Sequence, residues 1–189
     1  MLLVAARLDG ELLVLCTLVH PESLARSRVD LRRTLRKTRA VPIRYRLCPL
    51  SPKRLALLEE DPEIAFELDE ESVPGLLDLG TDGFELAGIL LFAGKDAIRD
   101  AVFAQSGRNL GEESDGIRVH TPKRVKEIAK ALTVLPDDTV ARHYESARRA
   151  MAGKLDPSAV SKYSDLFEQL RELYVAAATE DQGMLTYMA

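Results

Sequence analysis

The stretch that decides the fold is "SKYSDLFEQLRELYVAAATEDQGMLTYM", residues 161–188. Tyr163, Leu166, Phe167, Leu170, Leu173, Tyr174 and Ala177 recur in steps of three and four. That period predicts a long amphipathic helix with one buried face. Asp181-Gln182-Gly183 breaks the pattern, and "MLTYM" then predicts a short closing strand.

Further back, "IRYRLCPL" (43–50) alternates Ile43, Tyr45 and Leu47 against arginines, the pattern of a half-buried strand. Ser51-Pro52 supplies a capping hydroxyl and a proline for the first helical position, so a helix is predicted through "KRLALLEE" to Asp61-Pro62. An acidic linker, "LDEESVPGLLDLGTD" (68–82), follows. "GFELAGILLFAG" (83–94) has helical length and stops at Gly94; "DAIRDAVFAQ" (96–105) restarts a helix. "SGRNLGEESDG" (106–116) reads as a polar loop and "IRVH" (117–120) as a short strand. Thr121-Pro122 repeats the cap-plus-proline start, and Val125, Ile128, Ala129 and Leu132 fall on one helical face. "PDDTVARHYESARRAMAG" (136–153) predicts another helix, capped near Asp137 or Asp138 and ended by Gly153. Strands at both ends of a helical middle predict an α+β fold, with helices packed on a small, mainly antiparallel sheet.

The first forty residues differ in character. "MLLVAARLDGELLVLCTLV" predicts a hairpin turning at Asp9-Gly10, and "PESLARSRVDLRRTLRKTR" permits a basic helix with a thin apolar stripe. Residues 1–40 carry a net charge of +4 and the remainder −8. An acidic body disfavours general nucleic-acid binding, and the basic run reads as a solvated helix or tail. No apolar run is long enough to span a membrane, and Arg7, Asp9 and Glu11 interrupt the apolar start, which also lacks the basic lead of a signal peptide. Cys16 and Cys48 match no metal-ligand spacing and read as free thiols of a reducing cytoplasm.

Three stretches together resemble the bacterial YfbM-like family, a domain of unknown function. They are "IRYRLCPLSPKRLALLEEDPE", "NLGEESDGIRVHTPKRVKEIAKAL" and "DLFEQLRELYVAAATEDQGMLTYM". Their order and spacing carry the resemblance over residues 41–189. It implies a domain beginning near Val41, with residues 1–40 a lineage-specific extension or an over-long gene start; N-terminal sequencing of the native protein decides between these. All ten aromatic residues lie after Val41. Members of the family commonly carry a tryptophan–histidine pair where this chain has Phe84-Glu85, and this chain has no tryptophan.

Catalytic patterns are sparse. No nucleophile elbow, phosphate-binding loop or dinucleotide fingerprint occurs, and His20, His120 and His143 stand outside any metal motif. Four features are candidates. Glu85 opens a very apolar helix, where burial would raise its pKa for acid or base work; the plainer reading is a charge near the positive helix end. Arg118, His120 and Thr121 lead into a helix start flanked by Lys123 and Arg124, where free N–H groups could bind an anion; the plainer reading is surface charges beside a cap. His143 sits at the edge of a core-facing stripe, as a packed histidine does. Asn109, Glu112, Glu113 and Asp115 offer oxygens for calcium, but without the EF-hand spacing. No metal or cofactor is expected. The resulting expectation is a cytoplasmic protein without chemistry of its own that binds a protein partner, in the manner of acidic immunity proteins meeting a basic toxin. The alternative is a small-molecule or anion-binding protein, with or without enzymatic activity, with its site near Arg118–Thr121.

Overall fold

The computed structural model describes residues 2–8, 11–17, 44–68, 73–94, 96–110, 116–151 and 153–188. The chain divides into two units, Met1–Pro42 and Ile43–Ala189. In the first, strands β1 (Leu2–Leu8) and β2 (Glu11–Thr17) pair antiparallel with Leu8 opposite Glu11, the two strands of the expected hairpin. Its turn type and the helix expected over 21–39 lie outside the described residues.

The second unit is α+β. Its described elements are β3 (Tyr45–Leu50), α1 (Pro52–Glu60), a 3-10 turn (Pro62–Glu67), β4 (Leu77–Gly80), α2 (Asp82–Leu91), α3 (Asp96–Phe103), β5 (Arg108–Asn109), β6 (Arg118–His120), α4 (Pro122–Thr133), α5 (Thr139–Ala150), α6 (Ala159–Thr179) and β7 (Gly183–Met188). The strands form one antiparallel sheet in the order β4-β3-β7-β6-β5. The closing strand β7 is thus the central one, and the long helix before it lies across the sheet face. Tyr163, Phe167, Leu170, Tyr174 and Ala177 of α6 are all buried.

Both sheet faces are covered. Leu47, Leu79 and Met184 meet α2 to α6 on one side. Cys48, Leu50, Val119, Leu185 and Tyr187 meet α1 and the 3-10 turn on the other. The alternation at "IRYRLCPL" predicted a half-buried strand, but β3 is an inner strand, and α1 folds back over the face the arginines were to leave open. Two short strands were also hidden. β4 lies inside the acidic linker, where Asp78 takes Arg44 at 2.9 Å and Arg46 at 3.2 Å, removing the charge conflict of an acid in a strand. β5 lies inside the polar loop and is only two residues long.

The caps are legible. Ser51 Oγ accepts from the Arg54 N–H and Thr121 Oγ1 from the Arg124 N–H, each at 3.4 Å and each ahead of a proline. At α5 the Asp138 side chain makes no cap bond; Thr139 Oγ1 donates back to the Pro136 carbonyl instead. The end of α6 has a subtler arrangement. Gln182 N–H reaches the Ala177 carbonyl at 2.8 Å and Asp181 N–H the Ala178 carbonyl at 3.4 Å, a Schellman closure. The left-handed residue is Asp181 (φ 55), not Gly183. Gly183 is small for another reason: a Cβ there would lie 2.4 Å from Leu55 Cδ1 and 2.7 Å from the His120 carbonyl oxygen.

Candidate functional site

The strand registers place the candidate residues. Arg118 lies opposite both Asn109 and Thr186, and His120 lies opposite Met184. Residues paired across an antiparallel ladder share a face, and residues two apart on one strand share it too. Asn109, Arg118, His120 and Thr186 therefore all point to the five-helix side. That side is apolar at β3 and β4 but polar at this end.

Three side chains from helices complete the polar end. Asp100 of α3 accepts the Ser106 N–H at 2.9 Å, and its other oxygen takes Ser106 Oγ and Arg124 Nη2. Arg124 of α4 also donates to Glu127 at 2.8 Å. Tyr174 of α6 donates to the Ala101 carbonyl at 3.0 Å. Arg118 donates to the Gln105 carbonyl at 3.1 Å. Burial pushes the Asp100 carboxyl up, but the bonds from Ser106 and Arg124 outweigh it and hold the pKa below the usual carboxylate range. Burial brings the His120 pKa down to about 4, against the pull of the Asp100 charge.

His120 is 1% exposed, and neither ring nitrogen has a hydrogen-bond partner among the described residues. The same holds for Thr186 Oγ1, Asn109 Oδ1 and Arg124 Nε. Polar atoms in this condition cost of order 1–3 kcal/mol each, which sets this end apart from the rest of the core. The start of α4 is less suited to an anion than its sequence promised. Pro122 has no N–H, the Arg124 N–H goes to Thr121 Oγ1 and the Val125 N–H to the Thr121 carbonyl. Its two arginines are committed as well, Arg118 to a carbonyl and Arg124 to two carboxylates.

Glu85 belongs elsewhere. One of its oxygens takes Arg148 Nη1 and the other takes the Tyr163 hydroxyl. Arg148 spends its remaining donors on the Lys154 carbonyl at 2.9 and 3.0 Å. The helix opening at Glu85 is thereby stapled to the end of α5 and the start of α6. Tyr163 and Tyr174 mark the two polar clusters on α6, eleven residues apart, or about 16 Å of helix axis at 1.5 Å per residue. Glu85 and His120 are not brought together. His143 is half-buried on α5. Asn109 stands on β5, while Glu112, Glu113 and Asp115 lie outside the described residues. Cys48 is a buried free thiol, its pKa pushed up to about 12 by burial. Among the described residues no group of three or more metal-ligating side chains converges, and no helix is long and apolar enough to cross a membrane.

Sequence reading missed Asp100, Ser106, Arg148 and Tyr163. Nothing in the local pattern marks a carboxylate beside Ala101 as the holder of a turn six residues on and of an arginine one helix away.

No family model matches the chain, and no curated protein matches it. Among solved structures, the protein of unknown function YfbM from Escherichia coli matches with a TM-score of 0.59 at 13% identity, over 78% of this chain and 99% of that one. The fold is YfbM-like. At that identity the likeness is one of architecture, and it carries over the helices-on-sheet arrangement that the three motifs implied.

Proposed function

We propose that the protein is a bacterial cytoplasmic binding protein without its own catalytic chemistry. Its working unit is the domain from about residue 41 to 189, and its partner is a protein with a basic surface. The observation that carries this is one-sided charge. Residues 55–94 contain eleven Asp and Glu and no Lys or Arg. On the outer side of α1 and the 3-10 turn, Glu60, Asp61 and Glu63 are exposed beside Leu57, itself 51% exposed. Acidic side chains on one flank of an exposed leucine, with Lys53 and Arg54 on the other, suit a partner with a basic surface, for which charge speeds the encounter and apolar area holds it. The internal commitment of Glu85, Arg118 and Arg124 supports the non-catalytic half of the reading.

Affinity capture from the native host tests it, comparing the wild type with Glu60→Lys/Glu63→Lys. One stoichiometric basic protein is expected, lost from the variant and released between about 0.05 and about 0.5 M salt, as screening requires. Equal capture by both forms overturns the reading. The second reading, a small-molecule or anion site near Arg118–Thr121, draws on the unpartnered atoms around His120. Saturable thermal stabilisation by a metabolite, abolished in Arg118→Ala, would replace the first reading with the second.

A further inference from the structure

The turn from Ala104 to Asn109 joins α3 to the outermost strand and is held by few bonds. Ser106 is tied to Asp100 through its N–H and its hydroxyl. Arg118 holds the Gln105 carbonyl, and the Gly107 N–H meets the Ala104 carbonyl at 2.7 Å. β5 adds a two-residue ladder to β6. Ala104 is left-handed (φ 48) although it carries a methyl and is fully buried, so the turn closes against a local backbone preference.

The turn packs against the strand residue before His120, where a Cβ on Gly107 would lie 3.1 Å from the Val119 carbonyl oxygen, and both His120 ring nitrogens are unpartnered among the described residues. Two charges bear on His120, Asp100 of α3 and Arg124 of α4, the latter paired with Glu127. Tyr174 of α6 joins the same cluster, and the strand of His120 itself carries Arg118. From β7 and β5 the same face receives Met184, Thr186 and Asn109, which do not titrate. A neutral imidazole asks nothing of Asp100. An imidazolium has two donors, a guanidinium close by, and one carboxylate whose field it feels.

We propose that acid opens the α3–β5 turn: protonated His120 takes the Asp100 carboxylate from Ser106, and residues 104–109 leave the edge of β6. The sign follows from the shift. Closure favours neutral His120, so it is complete above the ordinary histidine pKa near 6.5 and weakens as pH falls from there toward about 4. Asp100, held below the usual carboxylate range, stays ionised through most of that window.

Native-state hydrogen exchange on the full chain tests this, corrected for intrinsic rates. From about pH 7 to about pH 4.5 the protection of the Ser106, Gly107 and Leu110 amides should fall at least about tenfold, while the Leu170 and Tyr174 amides hold. In His120→Gln the same three amides should keep constant protection. Constant protection in the wild type, or an equal fall in His120→Gln, overturns the proposal. Asp100→Asn is the second probe: it should leave Ser106 poorly protected already at neutral pH, and wild-type protection there would also overturn it.

Discussion

The two polar clusters on α6 are built from similar side chains and end in opposite conditions. Around Tyr163, the Glu85 carboxylate is saturated by Arg148 and a hydroxyl, and Arg148 spends its other donors on a carbonyl. Around Tyr174, Asp100 is saturated too, but the groups beneath it are not. His120, Thr186, Asn109 and the Arg124 Nε have no partner among the described residues. The first cluster ties helix ends together where side chains still reach solvent, so each group could be matched. The second lies between the sheet and three helices, where a match requires a protein neighbour and the donors and acceptors nearby are spent on one another.

The largest break in this comparison comes from removing each carboxylate. Asp100→Ala removes a carboxylate whose side chain is only 6% exposed, frees Ser106, leaves Arg124 with Glu127 alone and should cost about 3 kcal/mol or more. Glu85→Ala removes a carboxylate that is 30% exposed and leaves Arg148 with the Lys154 carbonyl, so it should cost only about 1–2 kcal/mol. Urea unfolding of both variants measures the difference. Equal costs would show that the Asp100 end is no more tightly determined than the Glu85 end.

Deleting single hydroxyls sharpens the contrast. Tyr163→Phe removes a donor to Glu85 and should cost about 1 kcal/mol. Thr186→Val removes a buried oxygen with no protein partner, keeps the volume, and should be neutral or stabilising by up to about 1 kcal/mol. If Thr186→Val proves as costly as Tyr163→Phe, its oxygen is bonded, and the contrast between the clusters disappears.

The same contrast explains what the sequence let one read. Helices came from period: Val125, Ile128, Ala129 and Leu132 are all buried as spaced. Caps came from local chemistry at Ser51 and Thr121, because a cap bond spans only three residues. The closing helix and strand followed from the same rules. Local rules could not reach β4, whose reason to be a strand is Arg46 more than thirty residues earlier. Nor could they place Glu85, which was read as lone because Arg148 and Tyr163 are sixty-three and seventy-eight residues away. Local pattern marks His120 by the helix start beside it, whereas its distinction is that, buried, neither ring nitrogen has a partner among the described residues.

The smallest effect concerns the end of α6, next to the unsatisfied cluster. Sequence places the break at Asp181-Gln182-Gly183, and within it the left-handed residue is Asp181 rather than the glycine. Asp181→Gly relieves about 1 kcal/mol of left-handed strain. It also frees the unfolded chain by a little less and gives up an exposed pair with Lys126 at 2.7 Å that contributes about half a kcal/mol at most. The three contributions nearly cancel, so the urea midpoint should move by the equivalent of no more than a few tenths of a kcal/mol in either direction. Gly183 offers no such freedom, since its missing Cβ is the room that Leu55 and the His120 carbonyl occupy. A clear loss on Asp181→Gly would mean that its carboxylate holds this corner through more than Lys126. The end of α6 would then belong with the saturated cluster rather than with its unsatisfied neighbour.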